Sequence, residues 1–262
     1  MSPIIGLIAT CPRIDSLSAI SIPSIASQTR LPDAVVIVTD RHHLPTADLQ
    51  ALMTMLPDTD VHFLPNDRVS GAAGAWNTGL HFIHQRWPTA YVAILDDDDR
   101  WDSEHLALCT STAASNNWPD VVISGLRISS DGQEIPRPLP HSVSTEDFLI
   151  GNPGWQGSNT FAIVSRLMEA GGFREGLTSC HDRDLAIRIL DLEGVRISFT
   201  RRFTATWHLN ACSGSLSQPG PQKRQALRHF LELHDYRMSA EVRKRFMARC
   251  FELFHITPEE LQ

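Results

Sequence analysis

The sequence predicts an α/β fold with a mixed, mainly parallel sheet flanked by helices. Strand-like and helix-like segments alternate through the first half of the chain. The strand-like runs are apolar and β-branched, and Pro32, Pro57 and Pro88 fall just after the helical runs, where they stop propagation. Strands are expected over 4–10, 34–40, 61–64, 91–96 and 120–125, with helices over 16–28, 46–56, 70–86 and 103–116. Ser70 and Ser103 are suitable N-cap residues for the last two helices. After Gly125 the pattern changes. Asp131-Gly132 between two short extended runs signals a hairpin. A Gly/Pro/Asn-rich stretch over 151–159 precedes a strand over 160–164, a helix over 166–170 and a stop at Gly171-Gly172. A helix over 182–190 has Leu185, Ile189 and Leu190 on its apolar side. From Pro221 the chain turns helical, with amphipathic runs over 222–235 and 239–254, and Thr257-Pro258-Glu259-Glu260 opens a last turn as a capping box. The expected division is an α/β domain over 1–220 and a C-terminal helical extension over 221–262.

The chain has 262 residues, 42% of them apolar, enough for a substantial core. Its net charge of −7 argues against a partner such as nucleic acid that binds through bulk positive charge. No run reaches the roughly 18 apolar residues of a membrane span. The opening MSPIIGLIAT reads as a strand rather than a signal peptide. Cys11, Cys109, Cys180, Cys212 and Cys250 are scattered and never spaced C-x-x-C, so neither a disulfide framework nor a zinc site is expected. A reducing, cytoplasmic setting follows.

The stretch most suggestive of chemistry is YVAILDDDDRW, residues 91–101. A buried-looking strand ends there in Asp96, Asp97, Asp98 and Asp99. Adjacent carboxylates repel when desolvated, and a hard cation such as Mg²⁺ or Mn²⁺ relieves the conflict. A solvated acidic turn is the competing reading. An EF-hand is not, because the sixth position from Asp96 is Trp101, where glycine is required.

Four further segments accompany this one in order: IIGLIATCPRID at the start, VVIVTDR ending at Arg41, GAAGAWNTGL over 71–80, and GGFREGLTSCHDRDLAIRI over 171–189. Together, over about Ile4 to Ser217, they resemble the family-two glycosyltransferases, whose domain has the GT-A fold. The resemblance implies an inverting transfer of a single sugar from a nucleotide-diphosphate donor, a UDP-sugar being favoured, to a hydroxyl of a glycan, lipid-linked or small-molecule acceptor. It puts Thr10, Arg13, Asp40, Gly74, Asn77, Asp96 and Asp97 at the nucleotide. Asp96 and Asp98 match the D-x-D metal motif, with Asp99 and, from a late loop, His208 as further ligands. Asp182, opening the helix, takes the place of the general base, with Asp184 two residues on. Thr39, Trp76 and His181 depart from residues usual in that family. Trp155 is expected either to face an acceptor sugar or to dock as a loop residue on a neighbouring helix, and the Ser213-Gly214-Ser215-Leu216-Ser217 stretch to close over donor phosphates. Lys223, Arg224, Arg228, Arg243, Lys244, Arg245 and Arg249 form a basic set suited to peripheral contact with the inner face of a membrane, although a solvated face or a dimer contact explains them too. Two rivals stay open: a catalytically silent nucleotide- or partner-binding module, and a sugar nucleotidyltransferase, for which Cys11-Pro12-Arg13 is a short match.

Overall fold

The computed structural model describes residues 2–209 and 219–261. The 213–217 segment expected to cover phosphates lies outside them.

Among the described residues, nine strands form one sheet in the order β3-β2-β1-β4-β8-β6-β9-β5, with β7 added beside β6. They are β1 (Ile4–Thr10), β2 (Ala34–Thr39), β3 (Asp60–Pro65), β4 (Tyr91–Asp96), β5 (Arg100–Trp101), β6 (Val121–Ser130), β7 (Gln133–Ile135), β8 (Thr160–Ile163) and β9 (Ile197–Leu209). Parallel pairing joins β1 to β2 and β4, β2 to β3, and β6 to β9, and these are the longest registers. The remaining pairings are antiparallel.

Strand alternation divides the core into two layers. Ile5 and Leu7, Val36 and Val38, and Val92 and Ile94 point to one face, while Ile4 and Ile8, Val35 and Ile37, and Tyr91, Ala93 and Leu95 point to the other. The first face is covered by helices α4 (Ala72–Arg86), α6 (Thr145–Ile150), α7 (Val164–Glu169), α8 (His181–Leu190), α9 (Pro221–His234) and α10 (Ala240–Phe254). The second carries α1 (Ile14–Ser16), a π-helical turn (Leu17–Ser21), α2 (Ile22–Ala26), α3 (Thr46–Thr54) and α5 (His105–Ser115). The π turn interrupts the single helix expected over 16–28 because Pro23 has no N–H to donate to Ala19.

The hairpin at Asp131-Gly132 forms as expected. Both residues have positive φ, 50° and 79°, as a two-residue turn demands. Neither serine caps its helix. Ser70 Oγ instead donates to Asp40 Oδ2 at 3.0 Å, and α5 starts after Glu104, with the Ser103 carbonyl accepting from Thr29 N at 2.8 Å. Strand β9 is the main addition. His208 belongs to this strand rather than to a loop.

The C-terminal helices share the core of the first face: Leu227, Phe230, Phe246 and Cys250 pack in the same cluster as Phe148 and Leu185. Their cations are largely engaged. Lys223 is buried and donates to Ser179 Oγ at 2.7 Å, Arg224 pairs with Glu260, Arg243 with Asp235 and Arg245 with Glu146, and Arg228 donates to the Glu260 carbonyl. No helix among the described residues is long and apolar enough to cross a membrane.

Candidate active site

Parallel β1, β2 and β4 end on one edge of the sheet, so Thr10, Asp40 and the acidic turn after Asp96 are gathered there, where α/β sheets bind ligands. The four aspartates then diverge. Asp97 is buried, accepts from Thr10 Oγ1 at 2.5 Å and from Arg13 Nε at 2.9 Å, and forms an ion pair with the same guanidinium. Asp99 is also buried. Its oxygens accept from Ser158 Oγ at 2.6 Å and from His208 N at 3.0 Å. Both side chains are therefore turned inward and hold the turn in shape. Asp98 is half-exposed and meets Arg13 Nη1 at 3.1 Å. Asp96 directs Oδ1 toward Gly157.

Electrostatics mark the turn as overcharged. Burial, then repulsion from Asp99, Asp98, Asp182 and Asp97, pushes the Asp96 carboxyl well above its ordinary range. Burial also raises Asp99 to about 8, against hydrogen bonds from Ser158 and His208. Such a cluster favours a cation. His208 Nδ1 lies 2.9 Å from the Asp98 carbonyl oxygen, which only accepts, so the neutral ring carries its proton on Nδ1 and leaves Nε2 as an electron-pair donor. A backbone carbonyl orienting a histidine in this way is the usual support of a metal ligand. Among the described residues no three acidic, histidine or cysteine side chains form a cage by themselves. Asp96, Asp98 and His208 accordingly do not make such a cage among themselves, although carboxylate oxygen and imidazole nitrogen are donor types that a divalent ion accepts.

Asp182 faces this turn. A Cβ placed on Gly157 would lie 3.4 Å from Asp96 Oδ1 and 3.8 Å from Asp182 Oδ1, so one glycine separates the two carboxylates. Ser158, next along, accepts from Asp96 N at 3.1 Å while its hydroxyl donates to Asp99. Burial lifts Asp182 to about 6, moderated by the backbone N–H groups of Gly157 and of Asp182 itself. Gly157 and Ser158 carry no sequence signal of this role beyond lying in a Gly/Asn-rich stretch.

Residues 18–175, more than half of the chain, match the family model of glycosyl transferase family 2. The chain belongs to glycosyl transferase family 2. Solved structures agree in fold. TarS of S. aureus (residues 1–349), in complex with UDP-GlcNAc, is 17% identical with a TM-score of 0.68, over 97% of this chain and 74% of that one. A mannosyltransferase of Pyrobaculum calidifontis, PcManGT, in complex with GDP-Man and Mn²⁺, is 16% identical with a TM-score of 0.61, over 96% and 70%. GalNAc-T7 with UDP, GalNAc and Mn²⁺ is 13% identical with a TM-score of 0.62, over 95% and 50%. No curated protein matches the chain in sequence. The fold is GT-A, a mixed α/β sheet flanked by helices.

Elsewhere in this glycosyltransferase, the other residues singled out in the sequence have partners within the protein. Asp184 is fully buried and bonds Arg174, Arg188 and His234, so it faces away from Asp182. Burial opposes its ionisation, but the His234 and Arg188 bonds and the Arg174 charge outweigh that and hold it well below the usual carboxylate range. Asn77 spends its amide on the Gly-Gly-Phe turn, donating to Phe173 O and accepting from Phe173 N, both at 2.8 Å. It clamps α4 to the loop that precedes α8. Trp76 packs on Phe173 with ring centroids 4.5 Å apart. His181 is bonded to Leu177 O at 2.8 Å. Trp155 is buried, donates to Thr160 Oγ1 at 2.8 Å and meets Phe148 edge-on, so its ring offers no face to a sugar. Asp40 accepts from Asn66 Nδ2 at 2.8 Å and from Ser70. Burial works against its charge, yet hydrogen bonds from Asn66, Gly71 and Ser70 and the Arg41 charge lower its pKa.

Gly74 lets the Val69 backbone, not a nucleotide, approach α4, because a Cβ there would overlap the Val69 carbonyl oxygen. The helix-on-sheet contact belongs to Gly79, against Leu7 and Val38. Gly74→Ala is therefore expected to displace the segment between Asn66 and Gly71 that holds Asp40. A cost of about 1–3 kcal/mol in urea unfolding, together with weaker nucleotide binding, is the expected result.

A cleft of ≈ 610 Å³ opens beside this centre between the π turn and β5, lined by Ile20, Ser24, Arg100, Ser103 and His208 among others. Asp96, Asp98 and Asp182 are not among its lining residues.

Proposed function

We propose that this protein is a metal-dependent, inverting glycosyltransferase that moves one sugar from a nucleoside-diphosphate donor to an acceptor hydroxyl. The observation that carries the reading is the placement of Asp182 and Asp96 on either side of Gly157. Asp96, Asp98 and His208 would hold Mg²⁺ or Mn²⁺ on the diphosphate. A divalent ion there supplies neutralisation of the charge that grows on the leaving oxygens. Asp182, with its pKa near 6, is mostly ionised at neutral pH and accepts the proton of the attacking hydroxyl. A single carboxylate acting as base on the acceptor, opposite the leaving group, gives displacement with inversion through an oxocarbenium-like transition state. Arg13, tied to Asp97 and Asp98, keeps a positive charge beside the turn. Structures similar to this one hold UDP-GlcNAc or GDP-Man, and both support a nucleotide-sugar donor without choosing the base.

A panel of nucleotide sugars tests this directly. With Mn²⁺, one donor is expected to release nucleoside diphosphate in an acceptor-dependent way, and the chelator EDTA to stop the release. Release that is unaffected by EDTA would remove the metal from the mechanism.

A further inference from the structure

Most arginines of this acidic chain find a carboxylate, but one group of cations does not. Arg137, Arg183, Lys223 and Arg249 cluster around the turn between Gly151 and Gly154 and the start of α8. Arg183 is satisfied by the Phe148 and Leu149 carbonyls, at 2.8 and 2.9 Å, and Lys223 by Ser179. Arg137 and Arg249 make no hydrogen bond or ion pair among the described residues.

Both side chains lie against glycines of this turn. A Cβ on Gly151 would fall 2.7 Å from Arg249 Cδ and 2.9 Å from its Cζ, so a larger residue there would push that arginine aside. Gly154, with φ of +118°, presents its open side to Arg137 Nη2 at 3.1 Å from an added Cβ. The two guanidinium groups are close enough to repel, and this adds to burial in lowering the Arg137 pKa. Like charges held together without an acid cost free energy that a bound anion recovers. Paired guanidinium forks suit a phosphate, whose several oxygens and extra charge satisfy both where one carboxylate would neutralise a single fork. The same turn runs on through Trp155 and Gln156 to Gly157, the residue between Asp96 and Asp182.

We propose that Arg137 and Arg249 form a seat for a phosphate-type oxyanion, carried by the acceptor or by the lipid that bears it. The assignment of that anion to the acceptor rests on the transferase reading above; the seat itself does not.

The test titrates the full-length protein by calorimetry with inorganic phosphate and with glycerol phosphate, chloride keeping the ionic strength constant. Co-sedimentation with phosphatidic acid vesicles, against phosphatidylcholine vesicles, is measured in parallel. R137Q, R249Q and the double variant are compared, and their melting temperatures are expected to stay level or rise because a repulsion is removed. Saturable phosphate binding is expected in the wild type, weakened at least tenfold in the double variant, with nucleoside diphosphate affinity unchanged. Binding confined to the soluble phosphates identifies a free phosphorylated acceptor; arginine-dependent pelleting with phosphatidic acid identifies a lipid headgroup. No saturable phosphate binding by the wild type, or binding undiminished in the folded double variant, overturns the proposal. Phosphate bound at the seat in a protein that binds no nucleotide sugar would sink the transferase reading alone.

Discussion

Asp182→Asn is expected to cut sugar transfer by about 10²–10⁴-fold while leaving donor affinity within a few-fold of wild type. Asparagine keeps the shape of the side chain but cannot accept the hydroxyl proton. The wild-type rate should climb as pH rises through about 6, where Asp182 ionises, and then level off. The same substitution should change stability in the opposite sense. The native pKa of Asp182 is raised from 3.8 to about 6, so its stabilising contribution is full below the lower value and lost as pH rises through the upper one. Above that window wild type holds a buried charge that asparagine does not. The variant should therefore be more stable at pH 7.5, by on the order of 2 kcal/mol, with the gain vanishing near pH 4. Single-turnover transfer, donor calorimetry and melting at both pH values make the comparison. An asparagine variant that transfers normally would take Asp182 out of the base role.

Asp184→Ala acts through the fold. Its carboxylate sits at the centre of Arg188 Nη2 at 2.6 Å, Arg174 Nε at 3.1 Å and His234 Nε2 at 3.1 Å, and it is fully buried. Removing it leaves buried donors and unbalanced positive charge, a loss of about 3–5 kcal/mol. Urea unfolding should show a lower midpoint. Because His234 ends α9, the variant should also loosen the C-terminal helices from α8, visible as faster amide exchange in α9. A loss below about 1 kcal/mol would mean that the three partners find water or other acceptors.

Much of this architecture is legible in the sequence because local pattern and final burial agree. Strands β1, β2 and β4 are buried on both faces, so they appear as continuous apolar runs, and the aspartates after β4 mark its carboxyl end. Helix α8 is announced by Gly171-Gly172 before it and by the spacing of Leu185 and Ile189 within it. Strand β9 is harder to see. Phe203, Ala205, Trp207 and Leu209 alternate as a strand should, but Arg201, with φ of 53°, and the irregular pairing near Gly125 break the period at its middle. The work of individual side chains is harder still. Nothing in the sequence says that Asn77 reaches 96 residues along the chain to Phe173, or that Trp155 turns into the core toward Thr160. Such long-range partners are set by packing, which periodicity does not encode. For the same reason Asp97 and Asp99 look equivalent to Asp96 in the sequence and differ in space only through Thr10, Arg13, Ser158 and His208.

Gly157 and Ser158 serve both carboxylate sites at once, the Gly157 N–H donating to Asp182 and the Ser158 hydroxyl accepting from Asp96 N and donating to Asp99, in a 3-10 turn that runs straight into β8. Under the proposed transfer, no hinge would therefore lie between the flank assigned to the leaving nucleotide and the flank assigned to the attacking hydroxyl. A bulkier pyranose would gain no room by prying these flanks apart. Tolerance for new donors or acceptors would then have to come from the surrounding loops, leaving the angle of attack invariant while the periphery diversifies.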